Sequence, residues 1–241
     1  MPSLQILIIG DHDAEHAPHR ETREAVIAAA ADLHLRANTR WVGADDLVLY
    51  PDLVMEAAGV LLPPPGPRCP QLLPEPELDA LKQAREGGVP TLAMGASHSL
   101  MLIEFARHVL GLAGANSTWY DEETPHAVVS NRLGLKGPID PGSSLSALSV
   151  TVDASSTAAG GHTIGSEWTD AQHGLAADYA AAFEHAGFHT LGRDSDGQPV
   201  LHRLENHPFW VAAAFLPFHG RLNAGPHPLV VNWLKAAATQ R

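Results

Sequence analysis

The sequence has 241 residues, enough for one substantial hydrophobic core, and we expect residues 1–241 to form a single α/β domain. Its 15 basic and 27 acidic residues give a formal net charge of −12, which would repel a phosphate backbone and argues against nucleic acid as a partner. No apolar run approaches the roughly 20 residues of a membrane helix, which predicts a cytoplasmic protein without membrane contact.

The first half of the chain alternates short apolar runs with amphipathic segments. The continuous apolar run at 4–10 predicts a buried parallel strand, and the helical spacing of apolar residues over 20–35 predicts a crossover helix. This alternation predicts a mostly parallel sheet flanked by helices, with ligand sites at the carboxyl ends of the strands. Further strands are expected at 39–42, 60–62 and 90–94, and further helices at 75–86 and 100–110.

The second half has a different composition. Residues 130–165 are rich in Ser, Thr and Gly and contain β-branched stretches such as 148–152, which indicates antiparallel strands and loops. We therefore expect an antiparallel β extension of the sheet. The remaining predicted elements are a helix at 176–186, paired strands at 199–204 and 209–215, and an amphipathic helix at 228–238.

Residues 11–19 place three histidines and three carboxylates after the first strand. This composition suits a metal site, but it lacks a zinc signature spacing, and Pro18 argues against a regular helix here. The alternative is a solvated acidic loop in which His19 packs against the core. The single cysteine, Cys69, excludes a cysteine-based zinc site and is expected in a loop. We predict no metal and no other cofactor.

Residues 90–129 contain the segments IEFARHVLGL, GANST and TPH, in an order and at separations that resemble the glutaminase domain of CTP synthase. The likeness extends to 59–63 and 207–217, whereas about 133–171 match poorly. Short stretches near both ends look still closer to a group described as CTP synthase C-terminal-region-related proteins. The resemblance implies a class I glutamine amidotransferase-like fold with a flavodoxin-like core.

Glutaminases of this family use a cysteine at a strained strand-to-helix turn, backbone amides for the oxyanion, and a histidine oriented by a glutamate. The resemblance places Gly95 at the cysteine position and the imino acids Pro64 and Pro65 at the paired glycines of the oxyanion loop. The histidine and glutamate of the late strand are replaced within 215–218 (FLPF), and Trp119 stands where the family has a glutamate. These departures imply that the chain does not hydrolyse glutamine.

The pocket at this turn is expected to persist with a different lining. His98 is the better candidate for an acid or base, and the alternative is an exposed histidine at the start of the helix. Ser97 is a candidate nucleophile if the turn is shifted by two residues, whereas in register it opens the helix as a cap. The candidate substrate-binding residues are Gly95, Ser99, Trp119, His219 and His12.

The helix after the turn also carries two charged residues, Glu104 and Arg107, three positions apart. We expect them to pair with each other or with the strand ends, in a structural role.

Two functions stay open. The first is an enzyme that uses the altered pocket for hydrolase-type or lyase-type chemistry on a small polar metabolite in a specialised pathway. The second is a non-catalytic subunit that binds a small molecule or regulates a synthetase or amidotransferase partner. A homodimer and a synthetase-like partner are both compatible with the sequence. A third hypothesis, residual glutaminase activity, has the least support because the residues of the glutaminase reaction are missing.

Overall fold

A computed structural model describes residues 3–67, 72–131, 145–152, 165–220 and 225–240. Cys69 and large parts of 130–171 lie outside the described residues. None of the helices in the described ranges is long and apolar enough to cross a membrane. Their strands are β1 (Leu4–Ile9), β2 (Ala37–Val42), β3 (Gly59–Leu62), β4 (Thr91–Met94), β5 (Ala115–Ser117), β6 (His126–Asn131), β7 (Ser146–Val152), β8 (Ser166–Thr169), β9 (His173–Leu175), β10 (Phe188–Asp194), β11 (Pro199–Leu204) and β12 (Trp210–Ala213).

The helices surround these strands in the alternating order that the first half of the sequence predicts. They are α1 (Ala17–Asp32), α2 (Ala44–Leu49), α3 (Leu53–Glu56), α4 (Glu75–Glu86), α5 (His98–His108), α6 (Ala177–His185) and α7 (Pro228–Thr239).

A nine-stranded mixed sheet organises the fold, with the strand order β2-β1-β3-β4-β12-β11-β10-β7-β8. The pairings from β2 to β12 are parallel, and those from β12 to β8 are antiparallel. A small second sheet has the order β5-β6-β9. The predicted α/β architecture, a parallel sheet with an antiparallel β extension, is confirmed.

Alternation along the parallel strands builds a core on each face of the sheet. On β1, Ile6 and Ile8 pack on the side that holds α1 and α7, whereas Leu7 and Ile9 pack on the side that holds α4 and α5. Because both faces are covered by helices, all four side chains are buried and the strand shows a continuous apolar run. The strand ends are thereby held in fixed relative positions.

Helix α1 begins at Ala17, three residues before the predicted start, so the inference that Pro18 prevents helix here is wrong. Proline fits the first turn of a helix, where its missing N–H has no intrahelical acceptor. The turn brings His19 onto the inner side of the helix, where it is 1% exposed.

The expectation that Glu104 and Arg107 pair with each other or with the strand ends is confirmed in part. The Nε of Arg107 donates to the carbonyl of Ala115, the first residue of β5, at 2.7 Å, whereas Glu104 has other partners. Glu104 is fully buried and accepts hydrogen bonds from the guanidinium of Arg85 on α4 at 2.9 to 3.1 Å. The guanidinium of Arg107 also contacts both carboxylate oxygens of Glu75, at 2.9 and 3.0 Å. Helix α4 packs along α5, so Arg85 and Glu75 both come from the neighbouring helix. A structural role for the two residues agrees with this arrangement.

Candidate functional site

A cavity of about 1130 Å³ opens at the carboxyl ends of β1, β3 and β4. Its walls come from the loop after β1, the proline-rich loop after β3, the start of α4, the turn after β4, and residues that precede β9. The carboxyl edge of a parallel sheet is where α/β folds place their ligands, because loops from neighbouring strands converge there.

The turn after β4 has a backbone conformation that favours glycine. Gly95 has φ of +58° and begins a single 3-10 turn that leads into α5. A β-carbon built at Gly95 would collide with Oδ1 of Asp170 and would lie 2.8 Å from Cδ2 of Leu216. The site therefore retains a strained strand-to-helix turn, but the space where a side chain would start is already filled.

Asp170 fills that space. Its Oδ1 accepts a hydrogen bond from the backbone N–H of Ala96 at 2.9 Å, and burial raises the pKa of its carboxyl group to about 6. The N–H of the residue after a nucleophile is one of the usual oxyanion donors at such a turn. In this chain that donor is already engaged by a carboxylate.

The residues on either side hold Asp170 in place. The carbonyl of Trp168 accepts the N–H of Leu216 at 2.8 Å, and the hydroxyl of Thr169 donates to the carbonyl of Ala214. Thr169 also accepts the N–H of Ala171 at 2.9 Å. These bonds tie the end of β8 to the segment that follows β12, beside Gly95.

Sequence reasoning missed Asp170, since it lies in the stretch that matches the family poorly. The one local indication is that Asp170 is an acidic residue directly after the short strand β8. Its contact with Ala96 joins residues 74 positions apart and has no local pattern.

The loop after β3 supplies few hydrogen-bond donors. Pro63, Pro64, Pro65 and Pro67 lack an N–H, which leaves Gly66 as the donor within 63–67. The carbonyl of Pro64 lies 3.0 Å from Nε2 of His19.

His19 ties this loop to the loop after β1. Its Nδ1 accepts the N–H of Asp13 at 3.1 Å, so the ring proton resides on Nε2 and is donated to Pro64. Burial lowers the pKa of His19, which keeps the ring neutral. The expectation that His19 packs against the core is confirmed.

His19→Ala is expected to lower the free energy of unfolding by about 2 kcal/mol, since two hydrogen bonds of about 1 kcal/mol each are lost. The effect should shrink below pH 6.5. With its pKa lowered in the folded state, neutral His19 contributes stability above the unfolded pKa, and this contribution is lost as the pH falls. Urea unfolding at pH 8 and pH 5 measures both effects.

The exposed His185→Ala is the control and should change stability by less than about 0.5 kcal/mol. A His19 variant as stable as this control would contradict the two hydrogen bonds assigned to His19.

Four of the candidate residues line the cavity, namely Ser97, Ser99, Trp119 and His12. Trp119 is 59% exposed, and its ring meets the edge of His173 at 5.8 Å. Ser99 donates its hydroxyl to the carbonyl of Ala96 at 2.7 Å. Ser97 directly precedes α5, as the register predicts, but its hydroxyl makes no capping hydrogen bond. Ser97 has φ of −68°, so the strained apex is Gly95 and not Ser97.

The other three candidates, Gly95, His98 and His219, are not among the described residues that line the cavity. His98 is fully buried, and its Nδ1 lies 2.7 Å from the carbonyl oxygen of Gly95. His219 is bonded to Glu21 at 2.8 Å. The acid or base role of His98 stays a prediction, and it would require a ligand to reach a ring without exposed surface.

Carboxylates dominate the charge of the cavity, and Lys and Arg are missing from its described lining. Burial, reinforced by the nearby Asp11, raises the pKa of Glu77, which is 9% exposed. No group of three His, Cys, Asp or Glu side chains within the described ranges is arranged to hold a metal ion. The lining carboxylates are Asp11, Asp13, Glu75, Glu77 and Asp170, and the lining histidines are His12, His16, His19 and His173.

Comparisons with known proteins point to one fold. No family model matches the sequence. The chain is 28% identical over 244 residues to a CTP synthase from Fibrobacter succinogenes, which covers 98% of this chain but 43% of the relative. It aligns with the solved glutaminase domain of Trypanosoma brucei CTPS with bound acivicin at a TM-score of 0.83 and 17% identity, over 98% of this chain and 94% of that one. A glutamine amidotransferase from Thermotoga maritima aligns at 0.51 and 10% identity, over 100% and 84% of the two chains.

The sequence likeness and the shared fold agree with the strand-to-helix turn described above. By fold and sequence, this chain is class I glutamine amidotransferase-like and resembles the glutaminase domain of CTP synthase.

Proposed function

We propose that this chain is a glutaminase-dead relative of these domains and acts as an enzyme on a small polar metabolite. The proposal treats residues 1–241 as one domain with one site. The observation that carries it is the Asp170 carboxylate, which lies over Gly95 and takes the N–H of Ala96.

The names of the similar proteins suggest ordinary glutamine hydrolysis, but three features of the turn argue against it. Gly95 has no side chain with which to form a thioester. The N–H of Ala96 is occupied, and the loss of one oxyanion donor typically costs roughly 10² to 10³ in rate. The position of the family histidine falls in the segment that contains Leu216, which is fully buried among apolar side chains.

Asp170 has the properties of an acid-base group. Its raised pKa, about 6, lies close to neutral pH, where a carboxyl group can both accept and return a proton. In hydrolase or lyase chemistry it would accept one proton from water or from the substrate and return it to the leaving group, which restores the carboxylate. Ser97 lies on the same cavity wall and would contact the substrate through its hydroxyl.

The test uses the purified chain and a polar metabolite extract at pH 7.5, with mass spectrometry of the small molecules. We expect at least one compound to be depleted by the wild type and Asp170→Asn to slow its depletion by roughly 10² to 10⁴ fold, the usual contribution of a general acid or base. The exposed Asp32→Asn is the control and should deplete the compound at the wild-type rate.

Two outcomes overturn this proposal. Equal depletion by the wild type and Asp170→Asn would remove Asp170 from the chemistry. Ammonia release from glutamine above a blank would restore the glutaminase reading.

A second candidate function, a non-catalytic subunit of a synthetase-type partner, is favoured by an exposed apolar surface on α2. Val48, Leu49 and Tyr50 are 68%, 69% and 57% exposed, and Met55 on α3 is 51% exposed. Exposed apolar patches often mark protein interfaces. Light scattering of the purified chain, with affinity capture of partners by the wild type and by Leu49→Ser, tests it. A partner lost on substitution would support this candidate, and identical capture by both would count against it.

A further inference from the structure

Few cationic side chains among the described residues offset the carboxylates that line the cavity. The guanidinium of Arg107 holds Glu75 from outside the cavity, but Lys and Arg are missing from the described lining. Three of the lining histidines, His16, His19 and His173, do not offset the charge at neutral pH, because burial lowers the pKa of each. The carboxylates that line the cavity would therefore repel a ligand with a free carboxylate.

Glu77 carries the strongest signal within this lining. It lies in the first turn of α4 and is 9% exposed, and its Oε2 has no hydrogen-bond partner among the residues that the structure describes. An unpaired buried carboxylate oxygen is costly unless a donor or a cation reaches it. The side chain lines the cavity, so a ligand bound there would lie next to this carboxylate.

Two aromatic residues also line this cavity. Trp119 and Tyr120 both line it, and Trp119 exposes 59% of its surface. The face of an indole ring attracts ammonium and guanidinium groups. An exposed tryptophan and several carboxylates that line one cavity are together the combination that recognises an organic cation.

We infer that the ligand of this cavity presents a cationic nitrogen, as an amine, amidine or guanidine, to Glu77 and carries no free carboxylate. The inference rests on the proposed function insofar as it names the substrate class of the same site. It also separates this site from one that binds glutamine, whose α-carboxylate would lie among Asp and Glu side chains.

The experiment compares agmatine with arginine, two probes that share the guanidinium and differ by one carboxylate. Isothermal titration of the full chain at pH 7.5 should show agmatine binding at least about tenfold more tightly than arginine. Glu77→Gln should weaken agmatine binding at least about tenfold, the loss expected for a charge-assisted hydrogen bond. The exposed Glu24→Gln, on the outer side of α1, is the matched control and should leave the affinity unchanged.

Arginine binding as tightly as agmatine, no binding of either probe, or an unchanged affinity in Glu77→Gln would each overturn the inference. Its failure is distinguishable from that of the proposed function. Agmatine binding that depends on Glu77, with no compound depleted by the wild type, would retain the cation site and remove the enzyme. Asp170-dependent depletion of an anionic metabolite would do the reverse.

Discussion

Gly95→Ala is expected to lower the free energy of unfolding by about 2.5–5 kcal/mol. A left-handed backbone conformation costs a residue with a β-carbon about 1–2 kcal/mol. The new methyl group would also displace the Asp170 carboxylate from the N–H of Ala96, and a hydrogen bond to a charged group contributes about 1.5–3 kcal/mol. Urea unfolding at pH 8 measures the sum.

The chain offers a matched control at Gly88. This residue has φ of +68°, but a β-carbon there would meet nothing within 4 Å. Gly88→Ala should therefore cost only the backbone strain of about 1–2 kcal/mol. If both variants lost the same stability, the space beside Gly95 would not be filled as described.

Asp170→Asn is expected to stabilise the protein at pH 8 by up to about 3 kcal/mol, and the gain should disappear toward pH 4. The pKa of Asp170 is raised from 3.8 to about 6 in the folded state. Stability from this group is thus fully present below pH 3.8 and is lost as the pH rises through 6. The uncharged amide avoids this loss and still offers an oxygen to Ala96.

Urea unfolding between pH 4 and pH 8 measures the difference in the free energy of unfolding between the wild type and Asp170→Asn. Because both proteins contain the same buried histidines, the opposing contribution of these histidines cancels in the difference. One of these, His207, has its pKa lowered to about 4 by burial. Asp32→Asn should change stability by less than about 0.5 kcal/mol. An Asp170→Asn variant that is less stable than the wild type at pH 8 would contradict the buried, charged state of Asp170.

Local signals account for much of the fold. Helix α4 runs over the predicted residues 75–86 because proline near its start and Gly87 after its end are readable within one turn of chain. Strand β10 was missed, since Gly192 and the polar residues around it lack a two-residue alternation, and its place is set by pairing with β11 and β7. The short helices α2 and α3 were missed as well, because neither has the length that gives a periodic pattern.

The sequence predicts the candidate site only in part. The turn at Gly95 could be found from the segment that follows it, because the helix fixes the register. The residue that occupies the turn could not be predicted, because Asp170 directly follows β8 and is separated by 74 positions from Ala96, which it contacts. The burial of His98 was equally inaccessible, as helix position alone does not tell which side of the turn faces the cavity.

A double-mutant cycle of Gly95→Ala and Asp170→Ala tests most directly whether the Asp170 carboxylate occupies the place of a side chain at the turn. In the Asp170→Ala background, Gly95→Ala should cost about 1.5–3 kcal/mol less than in the wild type, and this difference is the coupling energy between the two sites; backbone strain and the contact with Leu216 account for the cost that is left. Costs that add within about 0.5 kcal/mol would show that the two residues do not share this space and would contradict the account.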